Sequence, residues 1–374
     1  MSKENEAVIL SAARTPIGKF QGALSGLPAV QLGAIAVRAA VERSGIAPSQ
    51  VEEVWMGNVV QAGEGQAPAR QAAIFGGMPA TVSATTLNKV CGSGLKSVMQ
   101  AAQAIRAGDA DLFVAGGFES MSRAPYLIHG RSGELRYGNQ PLTDALLHDG
   151  LWDPFENWGM GMAAEFIADE YEVTREAMDQ LSYESHQKAV VAIEAGRFKA
   201  EIAPVEIKGR KGEVQVVDTD EGPRRDTTVE SLAKLKPVFK ADGRVTAGNA
   251  SSMNDGAAAA VISSRAYAEA HGHAPLARVV GYAQAAVEPK YLFSAPALAM
   301  PKLLQRIGWT FADVDLVELN EAFAAQVLAN GYALAEQGWD WNKVNVNGGG
   351  ISLGHPLGAS GARVLATLLY ALAE

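Results

Sequence analysis

Residues 87–107 read LNKVCGSGLKSVMQAAQAIRA, and the single cysteine of the chain, Cys91, lies inside this stretch. Apolar residues run up to it through Val90, Gly92-Ser93-Gly94 follow, and then Leu95, Val98, Met99, Ala102 and Ile105 recur at helical spacing. The pattern predicts an extended segment, a tight turn and a helix, with Cys91 at or just before the helix N-terminus. A lone cysteine in apolar company is more often a small buried residue. The turn and the helix start weigh against that: unpaired N–H groups and the positive end of the helix dipole favour a thiolate, and glycine lets a ligand approach the backbone closely.

Outward from this unit the same rhythm repeats. Residues 7–12 and 53–60 predict strands, residues 30–42 a helix, Pro68 the start of another, and residues 111–116 a buried strand. Strands alternating with helices predict an α/β fold with a parallel sheet covered on both sides. From Met121 the rhythm stops. Residues 121–162 hold no sustained period and many turn residues, which predicts an insertion that contacts partner subunits and roofs a site. Residues 163–195 then predict two helices, the second starting at Thr174. Lys234, Lys236 and Lys240 form either a solvated face or a rim for a phosphorylated ligand. The α/β rhythm resumes with a strand at 256–263 so small and apolar that it must be central. Further strands are expected at 276–286, 314–319 and 343–346, and helices at 298–308, after Phe323 and after Gly361.

The bulk numbers exclude several classes. A chain of 374 residues allows two or three domains, or one large α/β unit with an insertion. A net charge of −9 carries no nucleic-acid footprint. No run of 18 apolar residues and no signal-peptide pattern predicts a membrane span or export. One cysteine gives no intrachain disulfide and fits a cytoplasmic setting. The six histidines are scattered, so no metal site is expected.

The two ends of the chain resemble each other. A strand reaches Asn58 and the Cys91 turn follows 33 residues later; a strand reaches Asn320 and the His355 turn follows 35 residues later. This predicts a duplicated α/β unit whose two turns face one crevice beyond the strand ends. A cysteine nucleophile needs a base. His355 is the candidate, in a loop with glycines at 348, 349, 350, 354 and 358. Asn320 either caps the following helix or donates to an oxyanion.

NKVCGSGLKSV, GNASSMNDGAAA, NEAFA and NGGGISLGHPLGASGAR together resemble the thiolase family, over a span from Val8 to the last residue. Related ketosynthases carry a histidine where Asn320 stands. The resemblance implies the thiolase fold: two duplicated α/β halves stacked as an αβαβα sandwich, with an inserted loop domain. It divides the chain into an N-terminal half (1–120 plus 245–272), a loop domain for coenzyme A binding and oligomerisation (121–244) and a C-terminal half (273–374). It implies a reversible Claisen condensation of two acetyl-CoA to acetoacetyl-CoA and coenzyme A, by ping-pong chemistry through an acyl group on Cys91. Coenzyme A is substrate and product, no separate cofactor is expected, and the assembly is a homodimer or homotetramer.

In that pattern His355 activates Cys91 and Asn320 positions a water at the first oxyanion hole. Met160, Arg224, Ser231, Ala247 and Ser251 meet coenzyme A, and Phe323 lines the acyl site. Bulky residues in 288–299 favour short acyl chains. The family continues past the helix that ends this sequence with a strand and a Cys-x-Gly turn that supplies a second acid/base. The expectation is therefore a C-terminal half short of its last strand, in which acylation of Cys91 survives better than carbon–carbon bond formation.

Overall fold

The structure, a computed structural model, describes residues 5–374 apart from 129, 131–132, 134–136 and 210–211. Part of the irregular stretch expected at the start of the insertion thus lies outside the described residues. Five strands make the body of one sheet: β1 (Ala7–Arg14), β2 (Glu53–Gly57), β3 (Ser83–Leu87), β4 (Leu112–Ser120) and β5 (Asn254–Ser264), in the order β1-β5-β4-β2-β3. Two-residue strands extend it, Ala277–Arg278 beside β1 and Gly18–Lys19 beside the start of β5.

The expected all-parallel sheet is corrected to a mixed one. β2 runs parallel to β3 and β4, while β5 runs antiparallel to both β4 and β1. The reason is connectivity: β5 enters after the long insertion, not through a short helical crossover, so nothing forces it parallel. Its expected central place is met, with all eleven residues buried.

Helices cover both faces of this sheet. On one side α1 (Ala29–Ser44) and α2 (Pro68–Phe75) pack Leu32, Val37 and Ala72 against Val54, Val114 and Phe118. On the other, α3 (Ser93–Ala107) packs Val98 and Ile105 against Phe113 and Ile262. The insertion contributes α4 (Met160–Glu170) and α5 (Arg175–Glu194); Thr174 accepts the N–H of Ala177 and so starts α5 where expected. Helices α6 (Ala295–Ile307) and α7 (Ala324–Leu334) follow, and α8 (Leu357–Ala371) lies beside α3 on the sheet. The two helices meet backbone to backbone at their N-termini. A Cβ on Gly94 would stand 2.7 Å from the Ala362 nitrogen, and one on Gly361 2.4 Å from that of Leu95.

The second half departs further from expectation. The strand predicted at 276–286 is only Ala277–Arg278, and it joins the first sheet. The strands predicted at 314–319 and 343–346 run side by side, but a single parallel bridge, Val317 with Val344, joins them. The Asn345 side chain continues the ladder: its Oδ1 accepts the Leu319 N–H at 2.8 Å and its Nδ2 donates to the Leu319 carbonyl at 2.8 Å. Among the described residues no third segment pairs with either, and two isolated extended segments do not sustain a sheet.

Candidate active site

Cys91 stands two residues before α3, with Gly92 as the N-cap. The turn is tight enough to push Val90 to φ 48°, a region a β-branched residue adopts only under constraint. Local side chains supply that constraint. Asn88 Oδ1 accepts the Val90 N–H at 2.9 Å, while the Ser93 hydroxyl accepts the Lys89 N–H at 2.8 Å and donates to the Val90 carbonyl at 2.6 Å.

His355 reaches this turn from the other half. Its Nε2 lies 3.2 Å from Cys91 Sγ. The imidazole is oriented by Ser360, whose Oγ is 2.6 Å from Nδ1 and 2.8 Å from the Pro356 carbonyl. The single hydroxyl proton goes to that carbonyl, so Nδ1–H donates to Ser360 and the Nε2 lone pair faces the thiol. The loop backbone is fixed too: the His355 N–H donates to Asn254 Oδ1 at 3.0 Å, and Gly354 holds φ 110°, where a Cβ would stand 2.4 Å from Asn254 Cγ.

The electrostatics correct one expectation. Burial pushes the Cys91 thiol up to about 12, and the charge of Glu119 adds to it. Burial, with Arg363 nearby, holds His355 down at about 4. The resting pair is therefore neutral thiol and neutral imidazole, not the thiolate that the helix dipole alone suggested. Desolvation outweighs a fractional dipole charge here. Such a pair works by general base catalysis, the proton moving to Nε2 as sulfur attacks.

Asn320 Nδ2 lies 3.3 and 3.4 Å from the two ring nitrogens of His355. Near-equal distances to the protonated Nδ1 and to Nε2 mean that it is not aligned with the Nε2 lone pair, which leaves the amide free to donate to a ligand or a water. Arg363 faces the Asn320 carbonyl oxygen at 3.5 Å and Glu318 at 3.4 Å, so the amide end is the one turned to the imidazole.

The remaining candidates line a wall and a rim. Ala250 bridges Phe323, and the Ser251 N–H donates to the Ala322 carbonyl at 3.0 Å. Phe323 packs edge-on against Phe293 at 5.4 Å and Phe239 at 6.4 Å. Phe239 in turn lies against Gly161, next to Met160 at the start of α4. Arg224 is exposed, on a loop whose Gly222 rests against the Ser352 carbonyl and whose backbone N–H donates to His186 Nδ1 at 3.2 Å. Ala247 and Ser231 are also exposed, but the Ser231 hydroxyl is engaged in capping its own short helix through Thr228. Lys240 is turned toward Asp169 at 3.4 Å. Sequence reasoning missed Ser360, Asn254, Arg363 and Glu119. The available signal was a polar side chain inside a run of small residues, as in GASGAR and SSMNDGAAA.

A thiol met by a base, with a free amide beside them, is a site built for nucleophilic group transfer. Comparison with known proteins gives the class its name. Residues 7–266 match the family model for the thiolase N-terminal domain, and residues 273–374 that for the thiolase C-terminal domain. An acetyl-CoA acetyltransferase of Pseudomonas aeruginosa is 54% identical over 365 residues, which cover 98% of this chain and 92% of that protein. One from Cupriavidus necator is 52% identical over 365 residues, 98% of this chain and 92% of that protein. The crystal structure of the Bacillus anthracis acetyl-CoA acetyltransferase superposes with a TM-score of 0.94 at 43% identity, covering 98% of this chain and 92% of that one. The chain belongs to the thiolase family of acyltransferases and has its fold.

Proposed function

We propose that this chain is an acetyl-CoA C-acetyltransferase, which joins two acetyl-CoA into acetoacetyl-CoA and coenzyme A, and reverses that reaction, through an acetyl thioester on Cys91. The observation that carries the reading is the 3.2 Å contact between Cys91 Sγ and His355 Nε2, made across the two halves of the molecule. In the acylation step Cys91 sulfur attacks the thioester carbonyl as its proton passes to His355 Nε2. The resulting Nε2–H and a water held by the Asn320 amide face the oxyanion. Collapse expels coenzyme A as the thiol, with the proton returned from His355. Cys91 is the one cysteine in these 374 residues, and the chemistry derived from them is this half-reaction.

The Phe239–Phe323–Phe293 wall supports a short acyl group, and the exposed Arg224 and Lys236 support a rim for coenzyme A phosphates. Exposed Tyr126, Leu142 and Phe155 in the insertion support subunit contact in a homodimer or homotetramer. Among the described residues no helix is long and apolar enough to cross a membrane; the cytoplasm suits a free catalytic thiol.

The test is mass spectrometry after mixing with acetyl-CoA. The peptide holding Cys91 should gain one acetyl group, and Cys91→Ala should gain none there and lose thiolysis of acetoacetyl-CoA by about a thousandfold or more. An unmodified wild-type peptide would overturn the proposal.

A further inference from the structure

Beneath the thiol and imidazole lies a carboxylate that the acyl-transfer chemistry leaves unassigned. Glu119, near the end of β4, is fully buried. Its Oε1 accepts the Val60 N–H and Asn58 Nδ2, each at 3.1 Å. Its Oε2 accepts the Val59 N–H at 3.1 Å and the Gly358 N–H at 2.9 Å. Asn58, Val59 and Val60 follow β2 in the first half, and Gly358 lies in the first turn of α8, three residues after His355. One oxygen therefore holds a donor from each half. The backbones approach closely here: a Cβ on Gly358 would stand 2.6 Å from the Phe118 carbonyl and 3.0 Å from Asn58 Cα.

We infer that Glu119 is a positioning residue which, by tying the turn after β2 to the first turn of α8, sets the separation between Cys91 and His355. The consequence for rate rests on the acyl-transfer reading of those two residues; the geometry does not. A buried carboxylate with four donors is a costly way to satisfy loop N–H groups that water or a carbonyl could serve. It is suited to converging donors from two chain segments on one point.

The charge has a consequence of its own. Glu119 opposes ionisation of Cys91. It is itself faced by Asp255 from β5 and by Glu64 across Asn58, and burial pushes it up to about 7. On the opposite side of the thiol stands His355, with Arg363 behind it. Neutralising Glu119 should therefore ease formation of the Cys91 thiolate.

Two variants separate reach from charge. Glu119→Asp keeps the charge but falls one methylene short of Gly358 or of the Val59–Val60 pair. Glu119→Gln keeps the reach: its oxygen holds Val59 and Gly358, while its NH2 gives up the Val60 N–H and meets Asn58 Oδ1, which has no partner among the described residues, once the Asn58 amide turns. The readouts are single-turnover acetylation of Cys91 and the pH dependence of its alkylation by iodoacetamide, which needs no coenzyme A. Glu119→Asp should acetylate about 100-fold more slowly, as for a misplacement of about 1 Å, and should alkylate more slowly at neutral pH because base assistance is lost. Glu119→Gln should lose less rate and shift its alkylation curve to lower pH. Wild-type acetylation and alkylation rates in Glu119→Asp, with only a lowered melting temperature, would overturn the inference. Should that variant not fold, an unshifted alkylation curve in Glu119→Gln would overturn it. Were wild-type Cys91 to refuse acetyl-CoA, the functional proposal would fail alone, and the alkylation rates would still decide the role of Glu119.

Discussion

The loop that carries Cys91 stands open, with Asn88, Lys89, Val90 and Gly92 exposed, whereas the loop that carries His355 is buried without a break from Asn347 to Val364. Their support differs in the same way. The Cys91 turn is held by neighbours, Asn88 and Ser93. The His355 turn is held by partners far along the chain: Asn254 at the His355 N–H, Glu119 at the Gly358 N–H and Glu321 at the Ile351 N–H. The difference follows from the two jobs. A nucleophile must be reached by an acyl thioester arriving from solvent. A base must keep one tautomer and one direction, and burial in a non-local network enforces both.

The contrast is broken most sharply by adding one methyl group to each loop. At Gly358 a Cβ meets the Phe118 carbonyl at 2.6 Å, Glu119 Oε2 at 2.9 Å and Asn58 Cα at 3.0 Å, two of the three being backbone. At Gly92 the nearest atom is the Lys89 carbonyl at 3.4 Å, an ordinary contact. Gly358→Ala should lose more than about 3 kcal/mol or fail to fold, and Gly92→Ala should stay within about 1 kcal/mol. Denaturant unfolding of both variants measures this. Equal losses would mean that the two loops are equally confined.

The same contrast explains what could be read in advance. The Cys91 turn is self-contained, so the spacing of Val90, the glycines and the apolar helix positions carried its geometry. The approach of His355 to Cys91 was readable through the repeat of strand, turn and helix. Glu119 and Asn254 left no local pattern, because their hydrogen-bond partners stand 239 and 101 positions away; Ser360 is only five positions from His355, but spacing does not report which way its hydroxyl turns. The protonation state was misread for a related reason: the helix start is local, while the burial that overrides it comes from the packing of both halves. Strand direction failed similarly, since β5 pairs with β1 and β4 across long intervals. The short bridge between Val317 and Val344 shows the limit of periodicity, which reports a strand-forming segment and not whether a neighbour lies beside it.

Ser360 sharpens the comparison on the buried side. Its hydroxyl is the acceptor that keeps the proton on Nδ1 and so keeps the Nε2 lone pair toward the thiol. Ser360→Ala leaves Nδ1–H without that acceptor in a buried site and lets the other tautomer compete. Acetylation of Cys91 should slow by about tenfold, the lower range for a group that orients a base, with the KM for acetyl-CoA unchanged. A KM change without a rate change would instead place Ser360 at the substrate.

The smallest expected effect is on stability against pH, and both loops contribute. Burial holds His355 and His186 down at about 4, against an ordinary histidine value of 6.5. Below pH 6.5 the unfolded chain therefore binds protons that the folded chain refuses, and stability is lost as pH falls from 6.5 toward 4. Burial pushes Glu64 to about 8, Glu119 to about 7 and Glu318 to about 8, against an ordinary value of 4.5. The folded chain then holds protons that the unfolded chain has released, and stability is lost as pH rises from 4.5 to 8. The two effects oppose each other between 4.5 and 6.5, whereas from 6.5 to 8 only the carboxyls titrate. Thermal unfolding should thus show a melting temperature lower at pH 8.5 than at pH 6.5 by about 2–5 °C. Glu64 and Glu119 flank Asn58 beneath the Cys91 side and titrate as a pair; Glu318 faces Arg363 on the His355 side. Glu64→Gln and Glu318→Gln should each flatten the slope, and the larger flattening tells which side holds more of the strain. A melting temperature that rises over this interval would show that these carboxyls are ionised in the folded protein at neutral pH.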